Sequence, residues 1–435
     1  MVSRREFIAG AAAAAAAGAA AGAKSAGGKP AGAPEKLILS EPALQNAAET
    51  SMCVAFETPG GASGWVEYSE SPGMSGALRA YSGEGPLMDI DGPAARIRIR
   101  GLKPDTKYWY RIGADRISYK GGYKMKNIGP ERGKSVYSFS TLGPSAQGSF
   151  CVINDTHDRY PALGPVLSKV AKIKPRATIW NGDASNTSET AADAIRIFLR
   201  PHPEHLAYAA CTPYMFINGN HDFRGRFNRR LHEVVMFRDP AERSGRFACL
   251  GRNFAQRLGD IALIGMDTGE DKLDTNPAFA GIFKMREYRE LQTEWLAETI
   301  ETAPVKTARH KVVFCHIPLF DPRPGENPGD LAPADTAPGY ALNYAAWQRT
   351  CARMWSPYFE KAGVKLVIAA HQHCFRYDPP APGRSWAQVI GGGCDASGKD
   401  PASYPTVIEG RSEGGRLKIT VHNVVSGRKA FEKFF

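Results

Sequence analysis

Between residues 37 and 141 the apolar positions fall in short runs that alternate with polar ones. The runs are SMCVAFET (51–58), GWVEYSE (64–70), ARIRIRGL (95–102), TKYWYRIGA (106–114) and VYSFST (136–141). Period two in segments this short, broken by Gly, Pro and Asp, predicts β-strands. No helical pattern interrupts them, so a small all-β sandwich is the simplest architecture. After Leu142-Gly143-Pro144-Ser145 the pattern changes. Apolar runs such as SFCVIND, RATIWNG, PYMFING, IALIGMD, KVVFCH and VKLVIAAH now alternate with amphipathic stretches such as YPALGPVLSKVAKI and AADAIRIFL. That alternation predicts an α/β domain built from βαβ units. Beyond residue 385 strand-like segments return in WAQVIGGG, TVIEGR and RLKITVHNVV.

Composition changes this picture mainly at the N-terminus. Ser3-Arg4-Arg5-Glu6-Phe7-Ile8 precedes an unbroken Ala/Gly run and an Ala21-Gly22-Ala23 cleavage-type site. Twin arginines before a weakly apolar stretch resemble a twin-arginine (Tat) export signal. The expected layout is therefore a leader at 1–23, a Gly/Ala/Pro linker at 24–36, a sandwich at 37–142 and a catalytic domain at 148–435. Export to the periplasm or the cell exterior through the Tat machinery follows, with no stable membrane anchor in the mature form, because an Ala/Gly run is too weakly apolar to span. The hydrophobic fraction of 43% and charged fraction of 23% suit a soluble globular protein. A formal net charge of +11 favours anionic ligands, but the charge is spread along the chain without an aromatic-interleaved basic array. No nucleic-acid polymer is expected as a partner. The eight cysteines form no CxxC and no dense framework. Cys315 and Cys374, beside His316 and His373, read as buried thiols at strand ends.

The chemistry lies at the ends of the predicted strands. Asp155 and His157 occur in VINDTHD, Asp183 in WNGD, Asn220 and His221 in INGNHD, His316 in VVFCH, and His371 and His373 in IAAHQH. These motifs use five of the ten histidines. Hard carboxylate and amide oxygens mixed with imidazoles suit one or two borderline divalent metals. In open α/β sheets ligands bind outside the carboxyl ends of the strands, so residues far apart in sequence would converge there.

The order D-x-H, G-D, G-N-H-D, H and H-x-H resembles the calcineurin-like metallophosphoesterase superfamily. With a sandwich in front, the layout is similar to that of purple acid phosphatases. Gly101-Leu102-Lys103-Pro104-Asp105-Thr106-Lys107-Tyr108 also resembles the fibronectin type III corner, with Trp65 as the expected core tryptophan. The resemblance implies an α/β/β/α four-layer fold and a dinuclear centre of Fe, Mn or Zn. Asp155, His157 and His373 would hold one metal, Asn220, His316 and His371 the other, and Asp183 would bridge them. It further implies in-line attack on phosphorus by a metal-bound hydroxide, with His221 as general acid oriented by Asp222. Two departures are visible. Asn186 stands where the purple enzymes carry the tyrosine that colours their iron, so the protein should not be purple. Ala370 replaces the usual glycine of the last motif, which is harmless if its φ is negative.

Other features carry weaker signals. Arg224 and Arg226 are candidates for phosphate contact, although such a run more often marks a solvated face. The Pro/Gly/Asp-rich loop at about 321–344 could shape specificity. Gly391-Gly392-Gly393 lacks a strand–GxGxxG–helix context and is expected to permit close backbone packing. His202, His205, His232, His310 and His422 are expected to be structural or on the surface. The leading expectation is an exported phosphatase acting on small phosphate monoesters. The alternatives are a phosphodiesterase for nucleotides or lipid head groups and a non-catalytic surface binding protein.

Overall fold

The computed structural model describes residues 36–435 apart from 146, 159, 240–244, 321–339 and 395–400. The expected leader, all of the expected linker except Lys36, and most of the 321–344 loop lie outside the described residues.

Three apolar strands, Ser149–Ile153, Ala177–Asn181 and Tyr214–Ile217, lie parallel and adjacent, with Phe150 opposite Ala177 and Thr178 opposite Tyr214. Side chains alternate between the two faces, so each strand feeds two different cores. Phe150, Val152, Ile179 and Met215 turn inward, against Phe254, Leu263, Phe314 and Ile368 of a second, six-stranded sheet. Ile153, Trp180 and Phe216 turn outward, under the helices Tyr160–Ile173, Ala191–Phe198 and Pro203–Ala209. The six-stranded sheet does the same in reverse. Ile264, Val313 and Val367 pack beneath Trp295 and Leu296 of the helix Met285–Thr299 and beneath Trp355 and Phe359 of the helix Tyr340–Ala362. The result is the expected α/β/β/α arrangement. It explains why the strands read as continuous apolar runs: both faces are buried, and each fully buried large side chain contributes roughly 1.5–3 kcal/mol.

The N-terminal segment is β-rich as expected, but it is not a free-standing module. Its strands Ala43–Gln45, Ser51–Glu57 and Ala94–Arg100 extend the sheet that carries Tyr214–Ile217, which has nine strands among the described residues, with Gln45 paired in parallel to Tyr214. The strands Ala62–Ser69 and Lys107–Tyr119 centre a separate five-stranded sheet facing it. Val54, Phe56, Val66, Tyr110 and Ile112 therefore belong to the same core as Phe150 and Phe314. Polar bonds seal the seam. Tyr110 donates its hydroxyl to the Ala210 carbonyl at 2.7 Å, Arg98 donates to the Phe237 carbonyl at 2.9 Å, and Arg100 pairs with Asp239 at 2.8 Å.

The Lys103–Tyr108 corner forms as expected: the Lys103 N–H donates to the Tyr108 hydroxyl at 3.0 Å. Trp65 is buried but on the other face of its strand. Val66 and Ile112 enter the inter-sheet core, whereas the Trp65 ring packs over Gly113 and beneath the Arg79 guanidinium at 4.1 Å. Period-two alternation leaves no other placement once Val66 points inward. Among the described residues no helix is long and apolar enough to cross a membrane.

Candidate metal centre

Every motif residue lies just beyond the carboxyl end of a parallel strand. Asp155 and His157 follow Ser149–Ile153, Asp183 follows Ala177–Asn181, and Asn220 follows Tyr214–Ile217. From the other inner sheet, His316 follows His310–Phe314, and His371 and His373 follow Leu366–Ala369. The site spans the shared carboxyl edge of both sheets.

The backbone there is strained. Asp155, His157, Asp183, His371 and His373 all have positive φ, between 42° and 72°. Left-handed conformations at non-glycine residues cost roughly 1–3 kcal/mol each and persist only where the surroundings enforce them. Here, Asp155 N donates to Gly182 O at 3.0 Å, His157 N to Asp183 O at 3.1 Å and Cys394 N to Asp155 O at 3.2 Å. Gly182 has φ +85°, and a Cβ on it would stand 2.3 Å from His316 Nδ1. At Gly393, φ is +68° and a Cβ would stand 2.7 Å from that of Asp155, the close packing expected for the triple-glycine run. Ala370 is not among the positive-φ residues, so alanine is accommodated; the left-handed turns fall on the histidines that follow.

The side chains converge on one point. His157 Nε2 lies 3.1 Å from His373 Nε2, which lies 3.3 Å from Asp155 Oδ1. On the other side His371 Nδ1 lies 2.9 Å from Asn220 Oδ1. Asp183 faces both groups: its Oδ2 is 3.4 Å from His157 Nε2 and 3.3 Å from His316 Nε2. Asp155, His157 and His373 form one cluster with metal-ligand spacing, and Asp183, His316 and His371 another. The donors suit cations. His316 Nδ1 is 2.9 Å from the Asn181 carbonyl, which fixes the proton there and leaves Nε2 as a lone-pair donor. That Nε2 and Asp155 Oδ1 are buried without a hydrogen-bond partner among the described residues, and both point into the cluster. Burial alone would raise the Asp183 carboxyl, but His316 and His157 outweigh it and hold the group at about 2.

The second tier of residues departs from the sequence reading. Asp222 does not reach the His221 ring. Its carboxylate accepts from the Gly219 N–H at 2.8 Å, from the Ser185 N–H and hydroxyl at 3.2 Å, and from the Ala184 N–H at 3.4 Å. Three backbone donors of two tight loops converge on it, so it ties the Asp183 loop to the Asn220 loop. Asn186 takes the place expected of Asp222: its carbonyl lies 3.1 Å from His221 Nδ1. Its side-chain amide donates to the His157 carbonyl at 3.1 Å. Arg224 lies at the site, with Nη1 3.2 Å from His221 Nε2, and is clamped by Glu270 at 2.6 Å and Asp271 at 2.8 Å. Arg226 is exposed and immediately precedes the 3-10 segment Phe227–Glu233. Cys315 is buried as expected, whereas Cys374 is half-buried.

Sequence reasoning passed over Asn154, whose amide donates to Asp155 Oδ2 at 2.6 Å, and over Glu270 and Asp271. The latter two follow the recognised strand in IALIGMDTGED, so their position after a strand end was the available signal.

The comparisons with known proteins agree with this geometry. Residues 148–375 match the model of the calcineurin-like phosphoesterase family, and residues 35–141 match that of the purple acid phosphatase N-terminal domain. The chain belongs to the calcineurin-like phosphoesterase family. Among solved structures, the purple acid phosphatase PPD1 from yellow lupin (Lupinus luteus) is similar in fold. The match has a TM-score of 0.61 and 13% identity, covering 90% of this chain and 73% of the lupin chain. PhoD is also similar, with a TM-score of 0.60 and 12% identity over 92% of this chain and 94% of that one. A calcineurin-like phosphoesterase with this ligand set is a metal-dependent phosphoester hydrolase.

Proposed function

We propose that this phosphoesterase hydrolyses small phosphate monoesters at a dinuclear centre. Asp155, His157 and His373 would hold one ion, Asn220, His316 and His371 the other, and Asp183 both. The observation that carries the reading is the position of Asp183, one carboxylate oxygen facing the imidazoles of both ligand groups. When bound, the metal pair supplies an acidified water for in-line attack and offsets charge on the phosphoryl oxygens. His221 stands beside the ligands with Nδ1 at the Asn186 carbonyl, while Nε2 accepts from Arg224 Nη1 at 3.2 Å; as general acid, Nε2 would exchange that bond for a proton to pass to the leaving oxygen. Arg224 would meet the phosphate through Nη1, because its Nε and Nη2 are held by Glu270 and Asp271.

A purple acid phosphatase-type N-terminal segment favours monoesters. Asn186 in the tyrosine position keeps the diester reading as the second choice. Comparing p-nitrophenyl phosphate with bis(p-nitrophenyl) phosphate tests it: faster turnover of the monoester is expected, and exclusive turnover of the diester overturns it. Elemental analysis of the same preparation should give two ions per chain drawn from Fe, Mn and Zn. Export rests on the Arg4-Arg5 leader. Replacing both arginines by lysine should retain the protein in the cytoplasm, and unchanged secretion would refute the Tat route.

A further inference from the structure

Behind the His221 loop lies a cavity of about 340 Å³ that the metal centre does not use. Asp222 and Phe223, the two residues after His221, form one wall, and Ile282, Phe283 and Met285 form another. A volume of this size falls within the range of small-molecule sites. Apolar side chains such as Phe223, Leu231, Phe237, Ile282, Phe283 and Met285 share the lining with polar ones, of which one is a buried cation. Arg252 lines the cavity while only 4% exposed. Its two terminal nitrogens donate to the carbonyls of Met236 at 2.8 Å and Val235 at 3.0 Å, and its Nε has no partner among the described residues. No carboxylate pairs with it among the described residues.

A buried guanidinium without a counterion is costly by several kcal/mol. Burial draws its pKa down to about 10, against the longer-range pull of Asp267 and other groups. Those acids are committed elsewhere: Asp267 accepts from Tyr288 and Asn218, and Asp222 from the loop backbone. Two more cations stand on the lining, Arg229, whose guanidinium lies 5.7 Å from the Phe283 ring centroid, and Lys284. Among the described residues Asp222 is the one acid on the lining.

We propose that this cavity binds an organic anion with an apolar body, an aromatic or acyl group bearing a carboxylate, sulfate or phosphate. Arg252 and Arg229 meet the charge, and Phe223, Phe283 and Met285 hold the body. The site is independent of which ester the metal centre cleaves.

Two dyes with the same aromatic body separate the charge from the hydrophobic contribution: 1-anilinonaphthalene-8-sulfonate and the uncharged N-phenyl-1-naphthylamine. Titrated into the metal-loaded full chain, the sulfonate should bind once per chain and more tightly than the uncharged dye. It should also slow alkylation of Cys249, which is exposed on the cavity lining, and leave the exposed Cys211 unchanged as an internal control. Arg252→Met keeps the apolar stem and removes the charge. It should weaken the sulfonate by about tenfold and the uncharged dye little, as loss of a charge-assisted contact does. Met285→Trp fills the cavity and should weaken both. If Arg252→Met fails to fold by thermal melt, Arg229→Ala, at an exposed position, carries the charge test with a loss of about threefold. Equal affinity for the two dyes, or no protection of Cys249, overturns the proposal.

Discussion

His221 and Asp222 are neighbours in sequence with separate tasks. The histidine ring faces the Asn186 carbonyl and Arg224, while the aspartate binds loop backbone. The two substitutions should therefore differ in kind. His221→Ala is expected to retain the parent's metal content and to slow alkyl phosphates by about 10²–10⁴-fold, with a much smaller loss on p-nitrophenyl phosphate, whose leaving group needs no proton. Asp222→Asn should slow both esters alike and lower stability by roughly 1–3 kcal/mol, because it disturbs a set of satisfied buried donors. Equal losses across leaving groups in His221→Ala would remove the general-acid role. The seven candidate ligand positions were legible as residue types at strand ends. The partners of His221 were not, since Asn186 acts through its main-chain carbonyl, a group that every residue type possesses.

His205 makes a second prediction at this scale. It is fully buried against Trp180, Tyr208 and Tyr214, with neither ring nitrogen hydrogen-bonded among the described residues. Burial lowers its pKa to about 3. Below its ordinary value of 6.5 the unfolded chain takes up a proton that the folded chain refuses, so this group costs stability as pH falls from 6.5 toward 3. The limiting slope is roughly 1.4 kcal/mol per pH unit. His205→Phe should raise the melting temperature at neutral pH, and its advantage over the parent should widen between about pH 6.5 and pH 4. Parallel pH profiles for the two proteins would show that the ring is protonated or bonded in the fold.

At the scale of elements, strands and their carboxyl-end loops carry the site, and the loops hold the strain. Gly182 lets the Asp183 loop pass the His316 ring: its φ is +85°, and a methyl group there would also stand 2.8 Å from Gly219 Cα. Gly182→Ala should push two ligand-bearing loops apart. We expect activity to fall by more than about tenfold, as sub-ångström misplacement of catalytic groups does, with reduced metal content by elemental analysis and a lower melting temperature. Near-normal metal content and turnover would mean that the loops relax independently. Strand positions were readable from apolar periodicity, which is a local property. The left-handed backbone at Asp155, His157, Asp183, His371 and His373 was not, because it is imposed by bonds such as Asp155 N to Gly182 O between separate loops.

For the whole molecule, the sheet shared between the N-terminal strands and the catalytic strands governs stability. Residues 36–435 form one compact unit. Val54 and Phe56 lie in the same core as Phe150 and Phe314. Calorimetry should therefore show one unfolding transition with matching calorimetric and van't Hoff enthalpies. A chain starting at residue 148 should aggregate, since it bares the edge of Tyr214–Ile217 and the inner face beside it. Two separable transitions would show two modules after all.

The amino-acid order alone determined the succession of a β-rich segment and an α/β segment, the candidate ligand residues, and their place at strand ends, because side-chain periodicity and turn chemistry are encoded locally. It bounded the sandwich at 37–142 but did not say how that segment joins the catalytic strands. That was decided by the parallel pairing of Gln45 with Tyr214, a choice of neighbour that no local pattern records. Tertiary structure also decided that Asn186 serves His221, that Asp222 serves the backbone, and that Arg252 is buried beside a cavity. Each of these depends on which distant segments meet, and only the packed sheets bring them together.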